Sequence, residues 1–235
     1  MLSADNRYGD VLATEVSPAD GPFRCPACQK PVILKQGHIK ISHFAHVPDA
    51  VCPYNSVGES EEHRSIKLEI RRQLLRISGV TDVRLERYLR EVRPDISFVL
   101  NGILVAIEIQ LSRLSRSKIK WRTEVYARKN IAVLWMPLFS MEPFQKRYAP
   151  KDWERYVHGL YFGKVYYWSE GLKLQPVKFE DYMLTSGMYP GKRYSKDFVT
   201  PSLLPPVLIT DLTARWRKQW RDFPRAKLWC EPWNS

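Results

Sequence analysis

The sequence predicts an α/β fold: a mixed β-sheet with helices packed on it, preceded by a small metal-stapled module and followed by an extension. Three observations carry this. Between Glu59 and Met136, apolar residues switch between helical and strand periodicity in the order helix, strand, strand, strand, helix, strand (αβββαβ). Asn101-Gly102 separates two β-branched runs, the strongest short-range hairpin signal. Three of the four cysteines, with the histidines of "HFAH", crowd into residues 25–52, ahead of that pattern.

Residues 1–20 read as a lead-in, and residues 21–58 as a turn-rich module too short for an apolar core of its own. Cys25-x2-Cys28 is half of a zinc site. His43, His46 and Cys52 compete for the remaining two of the four positions that tetrahedral zinc takes. Cys25, Cys28, His46 and Cys52 would form a structural Cys3His site with no open position. His43 is the alternative to His46, since the spacing of "HFAH" allows both on one helical turn.

Residues 59–140 form the core domain. "ESEEHRSIKLEIRRQLLRIS" places Ile66, Ile70, Leu74 and Ile77 at helical spacing, with Gly79 as a stop. Glu59, His63 and Lys67 recur every four residues and share one face of that helix. "TDVRLERYL" alternates as a strand, and "DISFVL" and "ILVAIEI" make the hairpin. A two-residue turn fixes the register: Leu100 faces Ile103, so Asp95 faces Glu108. Glu108 and Gln110 share a face through the pleat. Asp95, Glu108 and Gln110 are therefore expected on one side, with Ile103, Val105, Ile107 and Ile109 building the core on the other.

Opposed carboxylates destabilise a sheet unless something neutralises them. Mg2+ or Mn2+ suits that place, because hard divalent ions take carboxylate oxygens and keep water. Such an ion activates water as a nucleophile and stabilises charge on a phosphate oxygen. "SRSKIKWRTEVYARKN" reads as a basic helix whose Lys118, Lys120, Arg122, Arg128 and Lys129 suit phosphate contacts. Arg122 and Tyr126, one turn apart, are placed at the edge of the site. "IAVLWM" is a buried strand ended by Pro137, and the helix before it acts as a crossover, which sets this strand parallel to 103–111.

Residues 141–235 are the extension. "LYFGKVYYW" and "LKLQPVKF" form a hairpin across "SEG", "PSLLPPVLIT" reads as a loop, and "TDLTARWRKQWRDF" as a final helix with Trp216 and Trp220 one turn apart, facing the core. Lys plus Arg number 37 against 25 acids, a net charge of +12, which favours a polyanionic partner, nucleic acid first. No apolar run approaches transmembrane length, and "MLSADNRYGD" lacks the features of a signal peptide. A cytoplasmic protein without a membrane partner is the expectation.

"RPD", a hairpin, then "AIEIQ" resembles the PD-(D/E)xK nuclease signature with glutamine in the lysine place. "CPAC…HFAH…C", "GESEEHRSIK", "RPDI", "AIEIQLS" and "YFGKVYY", in that order between Phe23 and Phe179, resemble the competence protein CoiA-like family. The resemblance implies a restriction-endonuclease-like core in which Asp95 and Glu108 bind Mg2+ and the first helix lends a further acid, Glu59, with Glu62 as the alternative. His63 would be a ligand or proton shuttle, and Lys67 would hold a phosphate. Gln110 is neutral; it can orient water through hydrogen bonds but cannot act as a cation. The function implied is Mg2+-dependent hydrolysis of DNA in bacterial DNA uptake or recombination, with recombination proteins as partners. The alternative is a non-catalytic, DNA-binding recombination accessory on a degenerate nuclease core.

Overall fold

The computed structural model describes residues 1–47, 52, 59–110, 114–138, 147–184 and 193–233. The chain divides into two compact units, Met1–Ala106 and Ile107–Ser235.

The first unit opens with β1 (Ser3–Asn6), β2 (Gly9–Leu12), β3 (Phe23–Arg24), β4 (Pro31–Lys35) and β5 (His43–His46), an antiparallel sheet of order β2-β1-β3-β4-β5. The expected lead-in is thus part of the cysteine-bearing module, because β1 pairs with β3 as well as β2. Its small core packs Ala4, Phe23, Val32 and Phe44 against Cys25 and Cys52. "HFAH" is strand rather than helical turn, and this separates its two histidines: side chains three apart on a strand point to opposite faces.

Helix α1 (Glu61–Leu74) follows. The Ser60 hydroxyl caps it by accepting a hydrogen bond from His63 N at 3.2 Å. Glu61 and Glu62 lie in the first turn and Arg71 and Arg72 in the last, as the helix dipole favours. Ile66, Ile70 and Leu74 are buried. The helix ends one turn before Ile77, and Gly79, at φ +83, leads into β6 (Val80–Leu85). Strand β7 (Ile96–Leu100) pairs antiparallel with β6, and the turn to β8 (Ile103–Gln110) places Asn101 at φ 51 and Gly102 at φ 74. Two consecutive left-handed residues are what a type I′ hairpin turn needs.

The second unit contains α2 (Arg116–Arg128), β9 (Ala132–Pro137), α3 (Asp152–Leu160), β10 (Val165–Glu170), β11 (Lys173–Leu184), β12 (Arg193–Leu203), β13 (Val207–Leu208), β14 (Thr213–Arg217) and β15 (Ala226–Cys230). In this unit β14, β15 and β9 are consecutive in one sheet, and β10, β11 and β12 in another, with β13 on β11. The expected hairpin is β10–β11, with Glu170 opposite Lys173. Helix α3 packs the second unit through Trp153, Tyr156, Val157 and Leu160. At its end the Tyr161 hydroxyl accepts from Trp135 N at 2.9 Å and donates to Val133 O at 2.8 Å, tying the helix to β9.

Two expectations for the extension are overturned. "PSLLPPVLIT" is not a loop throughout: β12 runs through Pro201, which pairs with Phe179. Proline is tolerated there because β12 ends the strand order of its sheet and needs no second ladder. The expected final helix is strand β14, paired antiparallel with β15, which in turn runs parallel to β9. "AKLWC" is buried at every position and supplies a strand partner that outweighs helix propensity. Trp216 and Trp220 consequently stand 46% and 55% exposed instead of entering the core. Among the described residues, no helix is long and apolar enough to cross a membrane.

Candidate functional site

The first unit holds two clusters of metal-ligating groups. Cys25, Cys28, His46 and Cys52 each offer an atom within 4.8 Å of the others. Cys28 Sγ and His46 Nε2 are 3.3 Å apart. The knuckle is shaped by backbone bonds, with Cys25 N donating to Lys30 O and Gln29 N to Cys25 O, while Gln29 takes φ 58. His43 is turned elsewhere: its Nδ1 lies 2.9 Å from Ile41 O. Of the two histidines, His46 therefore joins the cysteines. Burial pushes the Cys25 thiol up to about 11. The set is a Cys3His arrangement with the donors and spacing that a tetrahedral metal ion requires.

The second cluster is Glu59, His63 and Asp95, again with one atom each within 4.8 Å. The imidazole lies between the acids: Nδ1 is 3.4 Å from Glu59 Oε1 and Nε2 is 3.2 Å from Asp95 Oδ2. Glu59 precedes the N-cap Ser60, so it reaches this point from the strand-like approach to α1 and not from the helical face itself. Glu62 has no place in the cluster.

Two further groups complete the charge pattern. Lys67 is 1% exposed, pairs with Glu59 and Glu86, and lies 4.0 Å from Asp95 Oδ1. Burial pulls its pKa down, but Glu86, Asp95 and Glu59 together outweigh that and hold it above its ordinary value. Glu86 is 3% exposed; burial raises its carboxyl pKa, and Lys67 and the other cations outweigh that and hold it well below the usual range. The ends of β6 and β7 set this pair of positions: Leu85 pairs with Ile96, and Glu86 N donates to Asp95 O at 3.0 Å. Lys67, expected on a phosphate, is a buried counter-ion. Glu86 was hidden in the sequence by its place at the end of an alternating strand.

In the second unit, Glu108 is 4% exposed and Gln110 9%. The Glu108 Oε1 atom accepts hydrogen bonds from Arg122 Nη2 and from the Tyr126 hydroxyl, and Arg122 Nη2 is also 3.3 Å from that hydroxyl. Both donors come from one side of α2. Burial, and then the Glu108 charge, push the Tyr126 phenol well above its ordinary pKa. Arg122 and Tyr126 were expected at the edge of the site, with Arg122 on a phosphate and both in the nucleic-acid-binding set. Tyr126 is fully buried, so both residues act on Glu108 instead, fixing its carboxylate. Lys118 and Lys120 are exposed on the outer face of α2, as expected. Asp95 belongs to the first unit and Glu108 to the second, each with the neighbours just given.

A cysteine–histidine module is thus followed by an acid-bearing α/β domain, and comparison with known proteins matches both parts. Residues 12–55 match the family described as competence protein CoiA, N-terminal domain, and residues 59–150 match competence protein CoiA, nuclease-like domain. The chain belongs to the CoiA-like family. It is similar to competence protein CoiA of Bacillus subtilis (strain 168), with 30% identity over 123 residues, covering 50% of this chain and 32% of that protein. The match thus spans about a third of the relative's length. No solved structure matches.

Proposed function

We propose that this chain is a divalent-metal-dependent nuclease that hydrolyses DNA phosphodiester bonds. The observation that carries the reading is the convergence of Glu59, His63 and Asp95 at the start of α1 and β7. Three potential ligands with two carboxylates among them suit a hard divalent ion, Mg2+ or Mn2+. Bound there, such an ion would supply an activated water and charge stabilisation on a phosphate oxygen. Glu59 and Asp95 would hold it, and His63, between them, would be a ligand or would carry a proton. Lys67, held in place by Glu86, sets the orientation of Glu59 and limits the repulsion among the acids. On sequence grounds, Glu108 and Gln110 keep the roles of the nuclease signature, ligand and water-orienting amide, with Arg122 and Tyr126 holding Glu108 in one rotamer. Lys118 and Lys120 would contact phosphates. The Cys3His set would bind zinc as a structural ion, since thiolates and an imidazole fill all four positions. We place the activity in the handling of DNA during uptake or recombination, within the cytoplasm.

The test is cleavage of single-stranded, duplex and branched DNA with Mg2+ or Mn2+, comparing the wild type with Asp95→Ala, Glu59→Ala and Glu108→Ala. Metal-dependent cutting that all three variants lose is the expected result; cutting that survives them would sink the assigned site. A second reading is favoured by a specific observation: Lys67 and Arg122 already neutralise Glu59 and Glu108. On that reading the core is a degenerate nuclease that binds DNA as a recombination accessory. Salt-sensitive DNA binding without cleavage of any substrate would select it.

A further inference from the structure

We infer that the groove beside Trp216 is a binding site for an unpaired base and its phosphate, so that the second unit grips single-stranded DNA away from the acidic cluster. The choice of DNA rests on the proposed function; the site itself does not.

The argument starts from β14. Its residues alternate, so Arg215 and Arg217 share one face and Trp216 takes the other. The arginine face is occupied from within the unit. Arg215 lies 4.2 Å from the Phe162 ring centroid and 3.8 Å from that of Trp233, and donates to Glu231 O at 2.9 Å. Arg217 lies 4.4 Å from the Phe223 centroid and donates to Leu160 O at 3.1 Å. The Trp216 face is open. The indole is 46% exposed and borders a groove of about 450 Å3 shared with Arg225, Gln219, Arg128, Asn130 and Glu124.

The lining has the chemistry of a nucleotide site. A large exposed aromatic plane offers a sequence-tolerant stacking surface for a base. The Arg225 guanidinium carbon sits over the Trp216 ring, 4.6 Å from its centroid, so a cation covers one face of that plane and a base would stack on the other. Arg128 brings a second cation from the end of α2, and Gln219 a side-chain amide able to meet a base edge. Glu124 is the one acid on the wall. Near the groove the exposed charge is complementary to a phosphate backbone: between Lys218 and Arg225 there are three basic residues (Lys218, Arg221, Arg225) against one acidic one (Asp222). A duplex keeps its bases in the stack, where a side chain in an open groove cannot reach their faces. The occupant is therefore a single strand. The alternation of tryptophan and arginine that the sequence shows here is thus a surface feature, and it lies beyond residue 150, where the nuclease-like domain match ends.

The experiment is anisotropy of a fluorescein-labelled oligothymidine with the full chain in EDTA, so that cleavage plays no part. Duplex DNA of equal length and oligouridine run as parallel arms. Trp216→Ala is expected to weaken oligothymidine binding roughly tenfold or more, the loss of one stacked base. Trp216→Phe should restore most of it, and Arg225→Gln should weaken binding and flatten its salt dependence. Thermal midpoints within a few degrees of the wild type would show that the exposed substitutions leave the fold intact. Binding by Trp216→Ala and Arg225→Gln within about twofold of the wild type would overturn the site. Preference for duplex would overturn the single-strand assignment, and equal or tighter oligouridine binding would overturn the choice of DNA. A chain that grips oligothymidine through Trp216 yet never cleaves would leave this inference standing and remove the nuclease reading instead.

Discussion

Two buried carboxylate clusters, one in each unit, show opposite ways of keeping an acid out of water. In the second unit, Glu154 is 3% exposed and receives hydrogen bonds from the hydroxyls of Tyr148 and Tyr167, at 2.8–2.9 Å, and from Lys151 N at 2.8 Å. Neutral donors satisfy it. In the first unit, Glu59, Asp95 and Glu86 crowd around Lys67 and His63, and Glu59 Oε2 also faces Arg64 Nε at 3.5 Å and the N-terminal amine at 3.9 Å. One Glu59 oxygen and one Glu86 oxygen are buried without a hydrogen bond among the described residues. A fully satisfied acid braces a fold, whereas acids crowded around shared cations are held together at a cost in stability.

The contrast can be broken by experiment, beginning with activity. Asp95→Ala and Glu59→Ala should remove metal-dependent cleavage to background while leaving the denaturation midpoint little changed, whereas Glu154→Ala should leave the cleavage of folded protein intact. Next comes Lys67→Met. Removing the ammonium leaves Glu59 and Glu86 as uncompensated buried charges, and urea denaturation should show a loss of about 3–5 kcal/mol. Tyr126→Phe should lower cleavage about 10–100-fold with little change in stability, because it frees the Glu108 carboxylate without emptying the core. Glu154→Ala should cost about 1–3 kcal/mol for each donor it strands, read by the same denaturation.

At neutral pH the smallest effect comes from His158, which shows as a pH dependence of the second unit on the acid side. Burial pulls His158 from 6.5 down to about 4, with its neutral Nε2 accepting from Phe179 N at 3.0 Å. Between those values the unfolded chain binds a proton that the folded unit refuses. Stability from this group is therefore complete above pH 6.5 and is lost as pH falls toward 4. His158→Asn should flatten that part of a stability–pH profile.

Much of the first cluster was legible because its spacing is local. Glu59, His63 and Lys67 recur every four residues, and the Asn101-Gly102 turn announces itself in two residues. The Cys-x2-Cys knuckle is likewise a short-range pattern, and only the strand conformation of "HFAH" was needed to separate His46 from His43. What sequence could not reveal depends on long-range partners. Lys67 looks like a surface cation until Glu86 meets it from the end of another strand. Tyr126 and Arg122 look like a basic helix edge until Glu108 claims them. The β14 segment has helical spacing of its tryptophans and also strand alternation, and the arrival of β15 decides between them.

The turn at Asn101-Gly102 has a consequence for how this chain tolerates change through descent. Substitutions there that still accept a positive φ should pass with little effect. A single codon gained or lost within β8 is another matter, because every later side chain of the strand changes face. Glu108 and Gln110 would turn to the side now held by Ile107 and Ile109, and two polar groups would enter the core together. Among relatives of this protein, the letters of the turn should therefore drift while the count of residues from the turn to the strand's end stays fixed.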